Sequence, residues 1–284
     1  MKVLVTGYGG QLGFDVVKEG TKCGLKMIGT TSRDLNITDE NRVSEYIHQL
    51  KPDAIIHCAA YTAVDQAEDD KKNCYDVNVN GTKYLAKSAK EVNAKFVYIS
   101  TDYVFDGQGD IPFLEYSTPD PIGYYGETKC QGEQIVQSIL DAFFIIRISW
   151  VFGINGKNFV KTMLRLSETK NELNVVGDQY GSPTYTFDLA HLLIDMVKSD
   201  KYGIYHASNE GFCSWAEFAK EIFRLADKDV IVNSIKTEEY PTRAVRPKNS
   251  RMSKQKLVDN GFSPLPDWQD AVKRYLKELT QEVK

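Results

Sequence analysis

The chain has 284 residues, of which 42% are hydrophobic and 26% charged, and its formal net charge is −4. This length can bury the core of one large domain or two smaller ones, and the small negative charge gives no broad electrostatic reason to bind nucleic acid or an anionic membrane. Five scattered cysteines without a Cys-x-x-Cys pair argue against a disulfide framework or a structural zinc site. Without a signal-peptide core or a run long enough to span a membrane, the sequence predicts a soluble, cytoplasmic protein.

Over the first 150 residues, apolar runs of strand length alternate with segments of helical character. Continuous apolar runs are typical of parallel strands that are covered on both faces. The predicted strands are Val3-Leu4-Val5, Met27-Ile28, Ala54-Ile55-Ile56, Phe96-Val97-Tyr98-Ile99 and Phe143-Phe144-Ile145-Ile146, and the predicted helices cover 11–22, 41–50, 75–93 and 127–140. Repeated β-α units predict right-handed crossovers and a doubly wound, parallel, Rossmann-type sheet of the α/β class.

Beyond residue 150 the pattern is less regular. Predicted helices cover 158–168, 187–198, 215–226 and 268–279, and predicted strands cover 174–176 and 203–207. We therefore expect a dinucleotide-binding domain over 1–152, to which 173–206 also returns. Residues 153–172 and 207–284 are expected to form a smaller substrate-binding region.

A glycine-rich turn lies between the first predicted strand and the first predicted helix. Gly7, Gly10 and Gly13 are spaced three residues apart, and Gln11 and Leu12 begin the helix. Such a turn lets the backbone approach a pyrophosphate, which then faces the N-terminus of the helix. The spacing differs from G-x-G-x-x-G, and a purely structural turn is the alternative. Its place in an α/β chain favours dinucleotide binding.

The end of the second predicted strand carries hydroxyl groups and an arginine where an acidic residue would bind the ribose diol of NAD. Arg33 could pair with the 2′-phosphate of NADP, or it could be a surface residue whose charge Asp34 competes for. Asn36 and Ile37 suit the edge and face of an adenine, although Ile37 could also belong to the core. These residues favour NADPH, with NADH possible.

The third predicted strand ends in four residues that we assign to the cofactor site, namely Ala59, Ala60, Tyr61 and Thr62. Small residues at the carboxyl end of a strand let the backbone approach a ligand at the edge of the sheet. Tight packing between helix and sheet is the alternative explanation. His57, inside the apolar strand, is interpreted as a core residue, and the histidines show no spacing that would predict a metal site.

Tyr125 and Lys129 stand four residues apart, so their side chains project from the same face of a predicted helix. A cation beside a phenol favours the phenolate and should lower the pKa of Tyr125. Thr101, which follows the fourth strand, could share the substrate oxygen with the phenol. A solvated helix face is the alternative for the pair. Tyr124 has Thr128 four residues on, and is the poorer proton donor.

These motifs resemble the extended short-chain dehydrogenase/reductase superfamily and, in their finer pattern, the dTDP-4-dehydrorhamnose reductases. The matching segments span nearly the whole chain in the expected order. They are Gly10-Gln11-Leu12-Gly13, Ala60-Tyr61-Thr62-Ala63-Val64-Asp65, Ser100-Thr101-Asp102-Tyr103, Tyr125-Gly126-Glu127-Thr128-Lys129, Arg147-Ile148-Ser149-Trp150-Val151, 158–163, 178–184 and 246–250.

The resemblance implies the reduction of dTDP-4-dehydro-β-L-rhamnose to dTDP-β-L-rhamnose by NADPH, the last step of dTDP-rhamnose synthesis for cell-surface polysaccharide. It implies catalytic roles for Thr101, Tyr125 and Lys129. It also implies sugar-nucleotide contacts for Asp102 and Trp150, although Trp150 could instead be a wedge between the two domains.

The resemblance leaves the assembly open between a monomer and a homodimer. Some relatives form a magnesium-linked dimer, but Asp15 stands where a glutamate is expected, so no metal site is predicted. A loop with Arg243, Arg246 and Arg251 could bind the nucleotide pyrophosphate or could be an ordinary charged surface. The competing functions are another nucleotide-sugar reductase or 4-epimerase of the same superfamily, and a non-catalytic NADP-binding regulatory subunit.

Overall fold

The computed structural model describes residues 1–282, and its largest element is a parallel β-sheet. The strands are β1 (Lys2–Thr6), β2 (Lys26–Thr30), β3 (Ala54–His57), β4 (Lys95–Thr101), β5 (Phe143–Ile148), β6 (Val151–Phe152), β7 (Glu172–Val176), β8 (Tyr180–Gly181), β9 (Thr184–Tyr185), β10 (Gly203–His206), β11 (Asn209–Glu210), β12 (Cys213–Ser214), β13 (Ile231–Ile235) and β14 (Leu265–Asp267). The α-helices are α1 (Gln11–Lys22), α2 (Glu40–Leu50), α3 (Val64–Ala67), α4 (Lys71–Tyr75), α5 (Thr82–Glu91), α6 (Tyr124–Ile139), α7 (Phe159–Ser167), α8 (Thr186–Val197), α9 (Trp215–Leu225), α10 (Gln255–Asp259) and α11 (Trp268–Glu282).

Six strands form the central sheet in the order β2-β1-β3-β4-β5-β10, and every neighbouring pair is parallel. Apolar side chains of the strands alternate between two buried layers. One layer packs on α1 and α8, and the other on α2, α5 and α6. The predicted doubly wound α/β fold is confirmed, since a parallel sheet is covered by helices on both faces and its strands contain the continuous apolar runs.

The predicted helix over 75–93 is longer and less regular than expected. It begins at Lys71, and a π-helical turn over Asp76–Gly81 separates α4 from α5. Within that turn the Asn78 side chain accepts a hydrogen bond from Tyr61 N and donates to Tyr61 O and to Thr128 Oγ1. The turn thus joins the loop after β3 to α6. Interruptions of this kind are frequent at functional sites.

The range 173–206 is divided between two parts of the molecule. Strand β7 pairs with β13 in a separate two-stranded sheet, against which α9 packs. In contrast, α8 packs on α1, and β10 extends the central sheet beside β5. The return to the central sheet therefore begins at α8 rather than at residue 173. We propose to draw the dinucleotide-binding domain as 1–152 with 186–206.

Polar contacts join the glycine-rich turn to the part of the chain after residue 152. Gln11 Oε1 accepts hydrogen bonds from Gly153 N at 2.9 Å and from Asn158 Nδ2 at 3.0 Å. Asn158 also donates to the Tyr275 hydroxyl and caps α7 through Lys161 N. Between residues 1 and 282, no helix combines the length and apolar character needed to cross a bilayer.

Candidate active site

A cleft of about 780 Å³ lies at the carboxyl ends of the central strands. It opens between β1 and β3, where the order of the sheet reverses direction, and ligands bind at such switch points in open α/β sheets. The residues predicted for the cofactor that line it are Gly7, Gly10, Gln11, Leu12, Gly13, Asn36, Ile37, Ala59, Ala60, Tyr61 and Thr62. The structure therefore brings together in one cleft the predicted cofactor-binding segments, which follow three different strands.

The glycine-rich turn has a shape that side chains would obstruct. Gly7 has a φ of +74°, and a Cβ atom there would lie 2.6 Å from the backbone nitrogen of Ala59. A Cβ on Gly13 would overlap the Gly7 carbonyl. Helix α1 begins directly after Gly10 without a side-chain cap, and its first turn holds no acidic residue. A dinucleotide pyrophosphate fits this helix end, because the uncapped N–H groups and the helix dipole both favour an anion.

Arg33 is the one predicted cofactor residue that does not line the cleft in this structure. Its side chain is exposed, whereas Thr31 and Ser32 border the cleft. The carboxylate of Asp34 accepts hydrogen bonds from Thr31 N and Oγ1, at 2.8 and 2.7 Å. Asp34 is therefore bound locally, and no carboxylate among residues 1–282 lines the cleft beside Thr31 and Ser32.

The three predicted catalytic residues line the same cleft. Tyr125 lies in the first turn of α6 and hydrogen-bonds the side chain of Thr101, the last residue of β4. Lys129, one turn further along α6, is 2% exposed. Its ammonium donates to the Ile99 carbonyl at 2.7 Å and lies 4.0 Å from the centre of the Tyr98 ring. The phenol and the strand-end hydroxyl thus lie together in the cleft.

The expected lowering of the Tyr125 pKa is wrong. Desolvation raises the pKa of Tyr125 well above its usual range, and the charge of Asp102 adds to this shift. Lys129 does not offset it, since its ammonium is directed to the Ile99 carbonyl. Burial in turn lowers the pKa of Lys129 to about 7, against the opposing charge of Glu133. Tyr125 is therefore held as a neutral phenol, the form that can donate a proton.

Asp102 and Trp150 also line the cleft. Asp102 is 4% exposed, and desolvation raises its pKa to about 6. Its Oδ1 accepts from Thr101 Oγ1 at 3.0 Å, and the Ser250 side chain interacts with the carboxylate and lowers its pKa. Among the described residues, Oδ2 is buried without a hydrogen bond of ordinary geometry. Trp150 has a φ of +48° and stacks on Trp215 with 3.8 Å between ring centres. Trp150 thus contacts the C-terminal region and the cleft at once.

A second cleft, of about 970 Å³, adjoins the first at Tyr103, which lines both. Arg246 borders it and donates to the Tyr103 hydroxyl at 3.0 Å and to the carboxylate of Asp65. Of the other two arginines in the loop, Arg243 pairs with Asp69 at an exposed position, and Arg251 lies over the Tyr180 ring. Of these three arginines, Arg246 is the one that borders either of the two clefts described.

Tyr103 and Lys157 also belong to the site, although the sequence did not predict a role for either. Tyr103 packs edge-on against Tyr125, with 5.6 Å between ring centres. Lys157 reaches the first cleft from the loop before α7, where no sequence signal indicates it. His57, interpreted as a core residue, is 1% exposed, and its ring nitrogens pair with hydroxyls of Thr6 and Thr82.

Asp15 lies away from the clefts, between α1 and α8. Its carboxylate accepts from Thr186 Oγ1, and the nearby Glu278 is bound by Tyr185 and Lys18. Among residues 1–282, no group of three or more histidine, cysteine, aspartate or glutamate side chains is arranged to hold a metal ion.

A doubly wound sheet with a glycine-rich turn, and with a threonine, a tyrosine and a lysine in one cleft, defines an oxidoreductase of the extended short-chain dehydrogenase/reductase type. A family model described as the RmlD substrate binding domain matches residues 1–281. The chain belongs to this family, and the family resemblance predicted from the sequence is confirmed.

Individual relatives agree with this assignment. The chain is 42% identical to the spore coat polysaccharide biosynthesis protein SpsK of Bacillus subtilis, over 98% of this chain and 97% of the relative. It is 40% identical to the dTDP-4-dehydrorhamnose reductase of Aggregatibacter actinomycetemcomitans, over 96% and 97% of the two chains. The structure of dTDP-4-dehydrorhamnose reductase from Bacillus anthracis in complex with NADP superposes with a TM-score of 0.95 at 42% identity, covering 98% of this chain and all of the other.

Proposed function

We propose that this protein reduces dTDP-4-dehydro-β-L-rhamnose to dTDP-β-L-rhamnose with NADPH, as the last step of dTDP-rhamnose synthesis for cell-surface polysaccharide. The observation that carries the proposal is the convergence of Thr101 and Tyr125 in one cleft with the glycine-rich turn. Membership of a family whose relatives are dTDP-4-dehydrorhamnose reductases supports both the reaction and the nucleotide sugar.

The first cleft fits a nicotinamide dinucleotide. The uncapped N-terminus of α1 would bind the pyrophosphate, Asn36 and Ile37 would border the adenine, and Lys129 would bind the nicotinamide ribose. When bound, NADPH supplies the hydride that the C4 carbonyl of the sugar accepts. The protein must therefore place that carbonyl beside the cofactor and deliver one proton to its oxygen.

Tyr125 is the proton donor in this scheme. Because desolvation keeps its phenol protonated, a proton is available when negative charge develops on the sugar oxygen. Thr101, whose hydroxyl donates to Asp102 Oδ1 in this structure, would turn its proton to the same sugar oxygen and stabilise that charge. Lys129, whose pKa lies at about 7, would approach Tyr125 through the ribose hydroxyls and support its transient ionisation.

The sugar nucleotide would extend from the first cleft into the second, past Tyr103. The unpartnered Oδ2 of Asp102 offers an acceptor for a sugar hydroxyl, since an unpaired buried oxygen is costly. Trp150 would bound the sugar on the side of the C-terminal region. Arg246 borders the second cleft, and its planar guanidinium suits a pyrophosphate.

The remaining parts of the proposal concern the coenzyme, the location and the assembly. NADPH is the proposed coenzyme because Thr31 and Ser32, rather than a carboxylate, border the cleft near Arg33. A cytoplasmic location agrees with five free cysteines. For the assembly, a monomer and a homodimer both remain compatible with the site, which one chain completes among its described residues.

The proposal is tested by following the absorbance of reduced nicotinamide while the protein is incubated with dTDP-4-dehydro-L-rhamnose and NADPH or NADH. We expect stoichiometric oxidation of NADPH and formation of dTDP-L-rhamnose. Sugar epimerisation without net oxidation of NADPH would instead indicate a 4-epimerase that recycles its hydride. Binding of NADPH without turnover of any 4-keto sugar nucleotide would indicate a regulatory subunit.

A further inference from the structure

A buried polar network lies directly behind the catalytic residues and takes no part in the scheme above. At its centre is Glu133, which is 1% exposed and follows Lys129 by one turn of α6. Arg147 of β5, 2% exposed, binds both carboxylate oxygens of Glu133, with Nε to Oε1 at 2.9 Å and Nη2 to Oε2 at 2.7 Å. Ser100 of β4 donates to Oε1 at 2.5 Å.

We propose that Glu133 is a positioning residue for the reaction, which fixes α6 on β4 and β5 and maintains the positive charge of Lys129. This inference rests on the proposed roles of Tyr125 and Lys129. Its first support is geometric. Ser100 directly precedes Thr101, so one carboxylate ties the strand that carries the hydroxyl to the helix that carries the phenol and the ammonium.

The far side of Arg147 shows that the network is rigid. Its Nη1 donates to the Glu115 carbonyl at 3.2 Å and lies 3.4 Å from His206 Nε2. His206 Nδ1 lies 3.1 Å from the Ser253 carbonyl, so Nδ1 donates there and Nε2 accepts from Arg147. Burial and the charge of Arg147 lower the pKa of His206 to about 3, which keeps the ring neutral. Glu133 is thereby held in one orientation by a guanidinium whose three nitrogens all have hydrogen-bond partners.

The second support is electrostatic. The titratable groups that face the Lys129 ammonium are Glu133 on α6, Tyr98 on β4, His57 and Cys58 at the end of β3, and Cys74 on α4. Burial raises the pKa of Cys58 to about 12, raises those of Cys74 and Tyr98, and lowers that of His57 to about 3. These four groups are neutral near pH 7. Glu133 is therefore the negative charge that opposes the desolvation of Lys129.

The test compares E133Q with the wild type in steady-state kinetics over a range of pH. We expect kcat to fall about tenfold or more with KM changed less than about threefold, because the variant would misplace the catalytic groups without removing a contact to the substrate. The loss of charge should also move the alkaline limb of the kcat/KM profile, which reports Lys129, about one pH unit lower. The weakening of NADPH binding with rising pH, followed by nucleotide fluorescence without substrate, should move by the same amount.

Additional variants keep the test decisive if E133Q leaves Arg147 unpaired and unfolds the protein. The double variant Glu133→Gln/Arg147→Met removes both buried charges and is expected to fold. S100A removes one hydrogen bond to Glu133 without changing charge, so it should reduce kcat by a smaller factor and leave the alkaline limb in place.

A matched control is Asp188→Asn, which breaks the bidentate pair of Asp188 with Arg274 away from both clefts. It should lower Tm without changing either pH profile. If E133Q and the double variant behave like this control, Glu133 is merely structural and the inference is overturned. Because the wild-type assay is run alongside, an inactive wild type would instead count against the proposed function.

Discussion

The parts of the molecule before and after Trp150 build their clefts in different ways. The first cleft lies at the ends of parallel strands, and glycine and alanine residues that follow β1 and β3 are part of its lining. The second is bordered by β7, α7 and the loop that carries Arg246. After Trp150, β10 joins the central sheet, and the other described strands form four two-stranded sheets. The residues of the first cleft are held by the backbone of a buried sheet, whereas the second cleft is lined by side chains of several kinds.

This difference suggests a division of labour. Chemistry at the ends of β4 and α6 relies on groups held by a buried sheet, whose backbone moves little. Recognition of the sugar nucleotide relies on side chains such as Arg246, which is tied to the first part of the chain through Asp65 and Tyr103. Substitutions of Tyr125 and Thr101, at the ends of α6 and β4, should therefore act mainly on kcat, and substitution of Arg246 mainly on substrate binding.

The largest expected effect comes from Tyr125→Phe. Removing the phenolic hydroxyl takes away the proton donor, so kcat should fall by about 100-fold or more while NADPH affinity changes little. Stopped-flow measurement of NADPH oxidation and a fluorescence titration check the two parts. Tyr124→Phe is the matched control, because Tyr124 lies beside Lys71 outside the cleft lining, and it should retain nearly full activity. Normal turnover by Tyr125→Phe would show that Tyr125 is not the general acid.

A second prediction concerns the cost of holding an ionised Asp102 in the first cleft. Its pKa in the folded protein is about 6, above the unfolded value of about 3.9, so ionisation near pH 7 opposes folding. In the wild type, the contribution of Asp102 to the free energy of unfolding is fully present below about pH 4, where the carboxyl is protonated in both states. It is lost as the pH rises through 6. Asp102→Asn should therefore stabilise the protein at pH 7.5 by about 2 kcal/mol while reducing activity.

Urea unfolding at pH 7.5 and pH 4 checks this, since the stabilisation should vanish at the lower pH. Asp15→Asn is the matched control, in the same part of the molecule but between α1 and α8. The pKa of Asp15 is also about 6, chiefly through desolvation, but it lies away from both clefts. The Asp15→Asn variant should show a similar dependence on pH of its stability relative to the wild type, with unchanged kcat. Equal loss of activity in both variants would contradict a role for Asp102 in the site.

Arg246→Met examines the second cleft. The substitution removes the proposed contact between the guanidinium and the pyrophosphate of the sugar nucleotide. The KM for the sugar nucleotide should therefore rise about tenfold, with kcat changed less than about threefold. Arg243→Met is the control, since Arg243 pairs with Asp69 at an exposed position and borders neither cleft. A large fall in kcat with unchanged KM for Arg246→Met would show that the two parts of the molecule do not divide their tasks in this way.

The same contrast explains how much could be predicted from the sequence. Helix α1 begins and ends where predicted, and all five strands of the first part lie where their apolar runs predicted them, because both signals are local. The helix with Tyr125 begins at Tyr124, three residues before the predicted start. Strand β13 was not predicted, since its partner β7 lies almost sixty residues earlier in the chain. Such pairings depend on the whole fold.

Within the site, the residues were found more readily than their interactions. Spacing placed Tyr125 and Lys129 on one helix face, but it did not show that the ammonium would donate to the Ile99 carbonyl. For that reason the expected direction of the Tyr125 pKa shift was wrong. Rotamers and burial decide such interactions, and a sequence pattern carries no direct record of either.

The smallest expected effect comes from Arg33, at the outer edge of the first cleft. Its side chain is exposed, so any pairing with the 2′-phosphate of NADPH would be weakened by solvent and salt. Arg33→Ala should raise the KM for NADPH about threefold at low ionic strength and leave the KM for NADH unchanged. Measuring both coenzymes at low and high salt separates the contributions, because a charge pair loses its effect as salt rises. An equal rise for both coenzymes would assign Arg33 to the loop structure, and discrimination would then rest on Thr31 and Ser32, which border the cleft.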